Sequence, residues 1–237
     1  MHWQSVSATH VGLVRRVNED SILDRPDIGV WAIADGMGGH SAGDLASQML
    51  TEALGRMRAP PDLSTLVDFT EHNILAVNDR LIDLARFRHQ VIGSTIVTLL
   101  VNGGHCAFLW AGDSRLYRFR DDALAQLTTD HSQVEQYVQQ GLLSREDAQM
   151  HPDNNLITRA VGATEALFLD CDITDLVPGD RFLLSSDGLD KHVSMSDIAD
   201  GLRRLELPRC ARHLINLTLE RGAADNVSVC LVEIVAD

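Results

Sequence analysis

Apolar positions change period several times along the chain, and each change marks an element. Ile28-Gly-Val-Trp-Ala-Ile-Ala34 is a continuous, β-rich apolar run that stops at Asp35-Gly36, the pattern of a buried strand ending in a turn. From Ser41 to Arg58 the spacing turns helical, with Leu45, Met49, Leu50, Ala53, Leu54 and Met57 on one stripe. Pro60-Pro61 closes that helix, and a second is predicted from Leu66 to Arg88 through Phe69, Ile74, Val77, Leu81 and Leu84. Gly93–Val101, Cys106–Ala111 and Arg115–Arg120 then read as three strands separated by Asn-Gly-Gly and Gly-Asp-Ser. Links that short imply antiparallel hairpins, because a parallel crossover takes roughly a dozen residues or more.

Residues 128–162 are more polar and hold two short helical patterns, Ser132–Gln140 and Ser144–Met150. With little core-forming material, the segment reads as a surface excursion able to move. Strands return at Leu167–Ile173 and Arg181–Ser185, followed by helices at Ser196–Leu205 and Cys210–Gly222 and a last strand at Val227–Val235. Hairpins with helices grouped in pairs indicate an α+β sandwich rather than a doubly wound parallel sheet. No repeat, low-complexity tract or Gly/Ser linker interrupts the pattern, so residues 1–237 are expected to form one domain.

Charge narrows the function. Against 20 Lys and Arg stand 34 Asp and Glu, a net charge of −14, which argues against a nucleic-acid binder and points to basic partners or to cations held by clustered carboxylates. The chain is 45% hydrophobic and 23% charged, the balance of a protein with a proper core. No apolar run approaches the ~20 residues of a membrane span. The opening MHWQSVSATH carries neither a basic nor an apolar export signature, so the expected location is the cytoplasm. Cys106, Cys171, Cys210 and Cys230 lie far apart, a pattern that fits reduced, buried thiols better than disulfides or a zinc site.

The chemistry sits in acidic residues placed where strands meet turns. Five segments stand out: Arg15-Arg-Val-Asn-Glu-Asp20, Asp35-Gly-Met-Gly-Gly39, Gly112-Asp-Ser-Arg115, Ser185-Ser-Asp-Gly188 and Asp225-Asn226. Each alone has a bland explanation, since Asp-Gly and Asp-Asn are ordinary turn chemistry and Arg15-Arg16 an ordinary solvated pair. Four of the five, however, end or begin an apolar strand, and strand ends that converge would gather their carboxylates on one rim. Gathered carboxylates raise one another's pKa unless a cation neutralises them. Oxygen ligands without Cys or His at zinc spacing select Mg²⁺ or Mn²⁺. A hard two-metal site beside an arginine suits phosphoryl transfer to water.

In order and spacing, these segments resemble the motifs of the metal-dependent Ser/Thr protein phosphatases, the PPM or type 2C family, and in particular its compact, stand-alone bacterial members. The resemblance runs from Gly12-Leu-Val-Arg15 to Asp225-Asn-Val-Ser228. It takes in Leu127-Thr-Thr-Asp-His-Ser132 and Leu156-Ile-Thr-Arg-Ala-Val-Gly162, which are similar to the family's flap. It implies a four-layer α-β-β-α sandwich of two antiparallel sheets flanked by helix pairs. It further implies that Asp35 bridges two Mn²⁺ or Mg²⁺ ions, with the Gly36 carbonyl, Asp187, Asp225, Glu19 and Asp20 completing their surroundings. By the same resemblance Arg15 binds phosphate, and a hydroxide bridging the metals attacks phosphorus in line without a covalent phosphoenzyme. Asp113 matches a ligand of a third, weaker ion. The chain departs from the pattern at Lys191, which stands where an acidic residue is common, and an ammonium there opposes a third cation. Asp190 is one position early. A second departure is Met37, where some members carry a histidine; His40 is then the nearby candidate general acid, with metal-bound water the alternative. The remaining flap and turn residues read more plainly: His131 and His151 as structural or substrate-facing, Ser114 and Arg115 as a solvated turn.

The implied function is hydrolysis of phosphoserine and phosphothreonine in proteins, opposing a bacterial Ser/Thr kinase. Implied partners are phosphorylated proteins, a kinase and its substrates among them, met by a monomer that binds no nucleic acid and does not enter a membrane. A catalytically silent phosphoprotein-binding module on the same fold is the alternative, and retention of Asp35, Asp187 and Asp225 weighs against it. A small-molecule or nucleotide phosphoesterase finds no support in a Walker-type phosphate loop, which is absent. Mobility of the flap is expected to set substrate access.

Overall fold

The computed structural model describes residues 1–38 and 42–236. The chain begins with β1 (His2–His10), β2 (Asp20–Arg25) and β3 (Val30–Met37), then a helix pair, α1 (Ala42–Gly55) and α2 (Leu63–Arg88). A meander follows: β4 (Gly93–Ser94), β5 (Ile96–Asn102), β6 (His105–Ala111), β7 (Arg115–Arg120) and β8 (Ala123–Gln126). The short helices α3 (Gln133–Gln139) and α4 (Arg145–Gln149) lie in the polar excursion. The chain closes with β9 (Asp170–Asp175), β10 (Arg181–Ser185), α5 (Asp187–Asp190), α6 (Met195–Arg204), α7 (Leu207–Glu220) and β11 (Val227–Val235).

Two antiparallel sheets result. One has the order β1-β11-β10-β7-β8, and the other β2-β3-β5-β6-β9 with β4 paired to β3. The two-residue period of β3 shows how the layers stack. Trp31 and Ile33 point between the sheets, where they meet Val97, Leu99, Phe108, Phe182 and Val232. Val30, Ala32 and Ala34 point the other way, onto Leu50, Leu54, Leu66, Ile74 and Leu81 of α1 and α2. On the far side Tyr117, Leu183, Val229 and Leu231 pack on Ile198, Leu202, Cys210 and Leu214 of α6 and α7. Central strands covered on both faces read as unbroken apolar runs, which is why they were visible in the sequence. The architecture is the expected α-β-β-α sandwich.

The differences have local causes. β3 does not stop at Asp35-Gly36; it runs on to Met37 because Gly36 and Met37 pair with Ser94 and Gly93. The predicted strand Gly93–Val101 breaks at Thr95, whose N–H goes to the Asp35 carbonyl while its Oγ1 accepts the Asp35 N–H. α2 starts at Leu63, ahead of the first apolar stripe residue, because Asp62 accepts from the Thr65 N–H as its N-cap, a contribution of about 1 kcal/mol. β1, β2 and β8 carry few large apolar residues and were not predicted; β1 and β2 are edge strands held mainly by ladders to β11 and β3. All four cysteines are free, and Cys171, expected to be buried, is exposed on the edge strand β9. Among the described residues, no helix is long and apolar enough to cross a membrane.

Candidate active site

One rim of the sandwich collects the acidic residues. Asp20 and Asp35 are direct register partners on β2 and β3 of one sheet. From the other sheet, Asp187 opens α5 just after β10, and Asp225 stands just before β11, the neighbour of β10. Asp113 lies in the turn between β6 and β7. The two sheets are stitched together here: Ser186 and Ser228 both donate their hydroxyls to Asp20 Oδ2, at 2.8 and 2.6 Å. Glycine follows two of these aspartates for a steric reason. A Cβ on Gly36 would stand 2.0 Å from the Gly43 carbonyl oxygen, and one on Gly188 would stand 1.9 Å from that of Asn226.

The loop before β2 brings Glu19 and Arg15 to the same rim, and Asn226 fixes it there. The Asn226 amide donates to the Val11 and Val17 carbonyls at 2.9 and 3.0 Å, and its oxygen accepts the Glu19 N–H at 2.8 Å. Arg15 lays its guanidinium along Asp225, Nη2 to Oδ2 and Nε to Oδ1 at 2.9 Å each. Lys191 pairs with Asp187 and stands 4.0 Å from Asp225.

The electrostatics are those of crowded carboxylates. Asp35 is pushed well above the ordinary range, by burial first and then by Asp20, Asp187, Asp113 and Asp225. Asp20 is raised to about 7 by burial, although its two serine donors oppose the shift. Asp113 is raised to about 8 by burial and by Asp187, Asp130 and Asp190. Glu19 is raised by burial, against the pull of Arg15. Among the described residues, Asp20 Oδ1, Asp113 Oδ1, Asp187 Oδ1 and Asp190 Oδ1 are enclosed without a hydrogen-bond partner. Also among the described residues, no three carboxylates, imidazoles or thiols stand grouped to hold a metal ion; Arg15 pairs with Asp225 and Lys191 with Asp187. Enclosed, unpartnered carboxylate oxygens that repel one another nevertheless fit a hard cation, and the donor set is entirely oxygen.

Some sequence readings change. Arg115 and Ser114 are not a solvated turn. Ser114 is buried and shares a hydrogen bond with Thr95, 2.7 Å between the hydroxyls. Arg115 holds Asp130 with Nε and Nη2 (2.6 Å for the shortest contact) and Asp190 with Nη1 at 2.8 Å. Asp190, raised to about 7 by burial despite that arginine, is thus committed to Arg115. His131 is structural: Nδ1 accepts the Gly112 N–H, so Nε2 carries the proton toward Asp170, and Trp110 stacks on the ring. His40 lies outside the described residues.

The comparisons bear on this geometry. The description Protein phosphatase 2C belongs to the family profile that matches residues 14–230. The chain belongs to the protein phosphatase 2C family. A solved structure of PppA, a key regulatory component of T6SS in Pseudomonas aeruginosa, is 40% identical and superposes with a TM-score of 0.93 over 98% of both chains. The catalytic domain of the serine/threonine phosphatase PstP, solved in complex with two manganese ions, is 32% identical with a TM-score of 0.88 over 99% of both chains. PstP from Mycobacterium tuberculosis is 34% identical over 94% of this chain, which spans 43% of its length. Protein phosphatase PhpP from Streptococcus pneumoniae is 32% identical over 94% of each chain.

Within this protein phosphatase 2C domain, four supporting residues escaped sequence reasoning: Ser186 and Ser228 beneath Asp20, Asn226 behind the loop, and Asp130 opposite Arg115. Ser186 and Asn226 adjoin the aspartates Asp187 and Asp225, and that adjacency was the signal available for them. Asp130 lies within Leu127-Thr-Thr-Asp-His-Ser132, but nothing local pointed to its partner, which is 15 residues away in a different segment.

Proposed function

We propose that this chain is a metal-dependent protein phosphatase that hydrolyses phosphoserine and phosphothreonine and reverses the action of a Ser/Thr kinase. The observation that carries the reading is the convergence of Asp20, Asp35, Asp187 and Asp225 from both sheets on one rim, with Arg15 at its edge. Asp35, Asp187 and Asp225 would hold two Mn²⁺ or Mg²⁺ ions, with Glu19, Asp20 and the Gly36 carbonyl around them and Asp113 beside them. Such ions supply Lewis acidity and a nucleophile drawn from water at neutral pH.

The protein's own groups do the rest. Arg15 offers a planar fork that matches phosphate oxygens as it now matches Asp225. Asn226 keeps that arginine's loop in place, and Ser186 and Ser228 keep Asp20 pointed at the rim. Burial raises all four thiols, Cys106 to about 12 and Cys210 to about 11, which disfavours them as nucleophiles. His40 remains the candidate proton donor to the departing Ser or Thr oxygen. The likeness to PppA, a key regulatory component of T6SS, favours a role for this chain in regulating such a system.

The test is phosphate release from a phosphothreonine peptide by metal-stripped protein titrated with Mn²⁺ or Mg²⁺, with Asp35→Asn alongside. Metal-dependent release that the variant loses is the expected result. Folded protein that binds the peptide but releases nothing at any metal concentration would overturn the enzyme reading in favour of a silent binding module.

A further inference from the structure

Lys191 stands where the acidic rim is most crowded. As the residue that closes α5, it carries its ammonium back to the Asp187 carboxylate and to within 4.0 Å of Asp225. Asp113 and Asp190 both feel its charge, and each keeps an enclosed oxygen with no partner among the described residues. Its side chain is 32% exposed, and its ammonium is turned in toward the Asp187 carboxylate. The other cations of the rim have their own anions: Arg15 is laid along Asp225, and Arg115 is shared by Asp130 and Asp190. Lys191 is thus a positive charge set on Asp187, between Asp113 and the Asp225 that Arg15 already holds.

We propose that Lys191 is a tethered cation that takes the place of a third divalent ion, so that this protein holds two metal ions and not three. The inference rests on the two-metal reading above. Two divalent ions leave part of the acidic floor uncompensated, and an ammonium on a flexible stem supplies the remaining charge without ligands of its own. An ion bound at the open oxygens of Asp113 and Asp187 would meet that ammonium at close range, where like charges in a partly buried site repel strongly.

Metal stoichiometry decides it. The metal-stripped full chain, Lys191→Asp and Lys191→Met are titrated with Mn²⁺ into the low-millimolar range, bound ions are counted by native mass spectrometry and calorimetry, and melting curves verify folding. Lys191→Asp adds a carboxylate, whereas Lys191→Met removes the charge without adding a ligand and carries the test if the first variant fails to fold. Wild type is expected to saturate at two ions. Lys191→Asp gains a third, and Lys191→Met gains one more weakly. A third ion in wild type, or a count of two in every folded variant, overturns the inference and leaves the phosphatase reading intact. A wild-type count of none or one overturns the two-metal reading itself, and the inference falls with it.

Discussion

Raising the pH should destabilise the metal-free protein, and a divalent ion should offset much of the loss. In an unfolded chain Asp20 titrates near 3.8, but in the fold burial moves it to about 7. Between those values the folded state binds more protons than the unfolded one, so stability falls as pH rises and the loss is complete above pH 7. One pKa unit corresponds to about 1.4 kcal/mol, so Asp20 alone weighs about 4 kcal/mol against the metal-free fold at pH 8. For a chain of this length that is a fall in Tm of about 10 °C. Asp113 and Asp190, raised to about 8 and about 7, act in the same direction, although mutual repulsion shared among these groups is counted only once. The assay is thermal and urea unfolding of EDTA-treated protein from pH 5 to 8.5 at fixed ionic strength. Asp20→Asn keeps an oxygen for Ser186 and Ser228 but removes the charge, so it should flatten the profile. Mn²⁺ at a hundred times its Kd should restore about 2.7 kcal/mol at pH 8. Stability that stays level or rises over this range in the metal-free wild type, or an Asp20→Asn profile as steep as wild type, would refute the reasoning.

Three further outcomes follow from the contacts. Arg115→Met leaves Asp130 and Asp190 enclosed without their cation and should cost about 3–5 kcal/mol in urea unfolding. Asn226→Ala strands the Val11 and Val17 carbonyls and the Glu19 N–H; a loss of about 2–3 kcal/mol is expected, together with reduced kcat/KM because the Arg15 loop loses its clamp. Arg15→Lys should raise KM for a phosphopeptide by about 10–100-fold, since a point charge replaces a two-pronged donor. The same change should leave Tm within about 2 °C, because Arg15 is half exposed and such surface pairs contribute at most about 1 kcal/mol.

How much of this was legible in the chain depended on where the information resides. The central strands and the four long helices announce themselves because burial on one or both faces imposes a period on Trp31, Ile33, Leu99 or Leu214. The edge strands β1 and β2 do not, since their stability comes from ladders to β11 and β3 and their side chains alternate only weakly. The acidic residues of the rim were visible as aspartates at strand boundaries. Their supports were less so: that Ser186 and Ser228 serve Asp20 depends on strand ends of two stacked sheets meeting at one rim, which no local pattern encodes. Arg115 misled for the same reason. In sequence it is the last residue of a polar turn; in the fold its partners come from the root of the flap and from α5.

Those partners also change what the flap can do. Its polar composition suggested a surface excursion able to move, and in the fold both of its ends are fastened. Asp130 is bound by Arg115, which also holds Asp190 beside the acidic rim. His131 exchanges two hydrogen bonds with Gly112, the residue before Asp113, and its carbonyl accepts the Thr158 N–H. At the other end Val161 is fully buried and bridged to Ser94, next to the threonine that grips Asp35. Displacing either root would therefore break buried ion pairs and hydrogen bonds that also set the positions of Asp35, Asp113 and Asp190. Freedom is left to the stretch around α3 and α4, where Arg145 and Glu135 form an ion pair with the arginine largely exposed. A deletion that reaches Asp130 would dismantle the rim along with the flap, so substrate access is better tested between residues 139 and 151, where the chain can change without touching the acidic site.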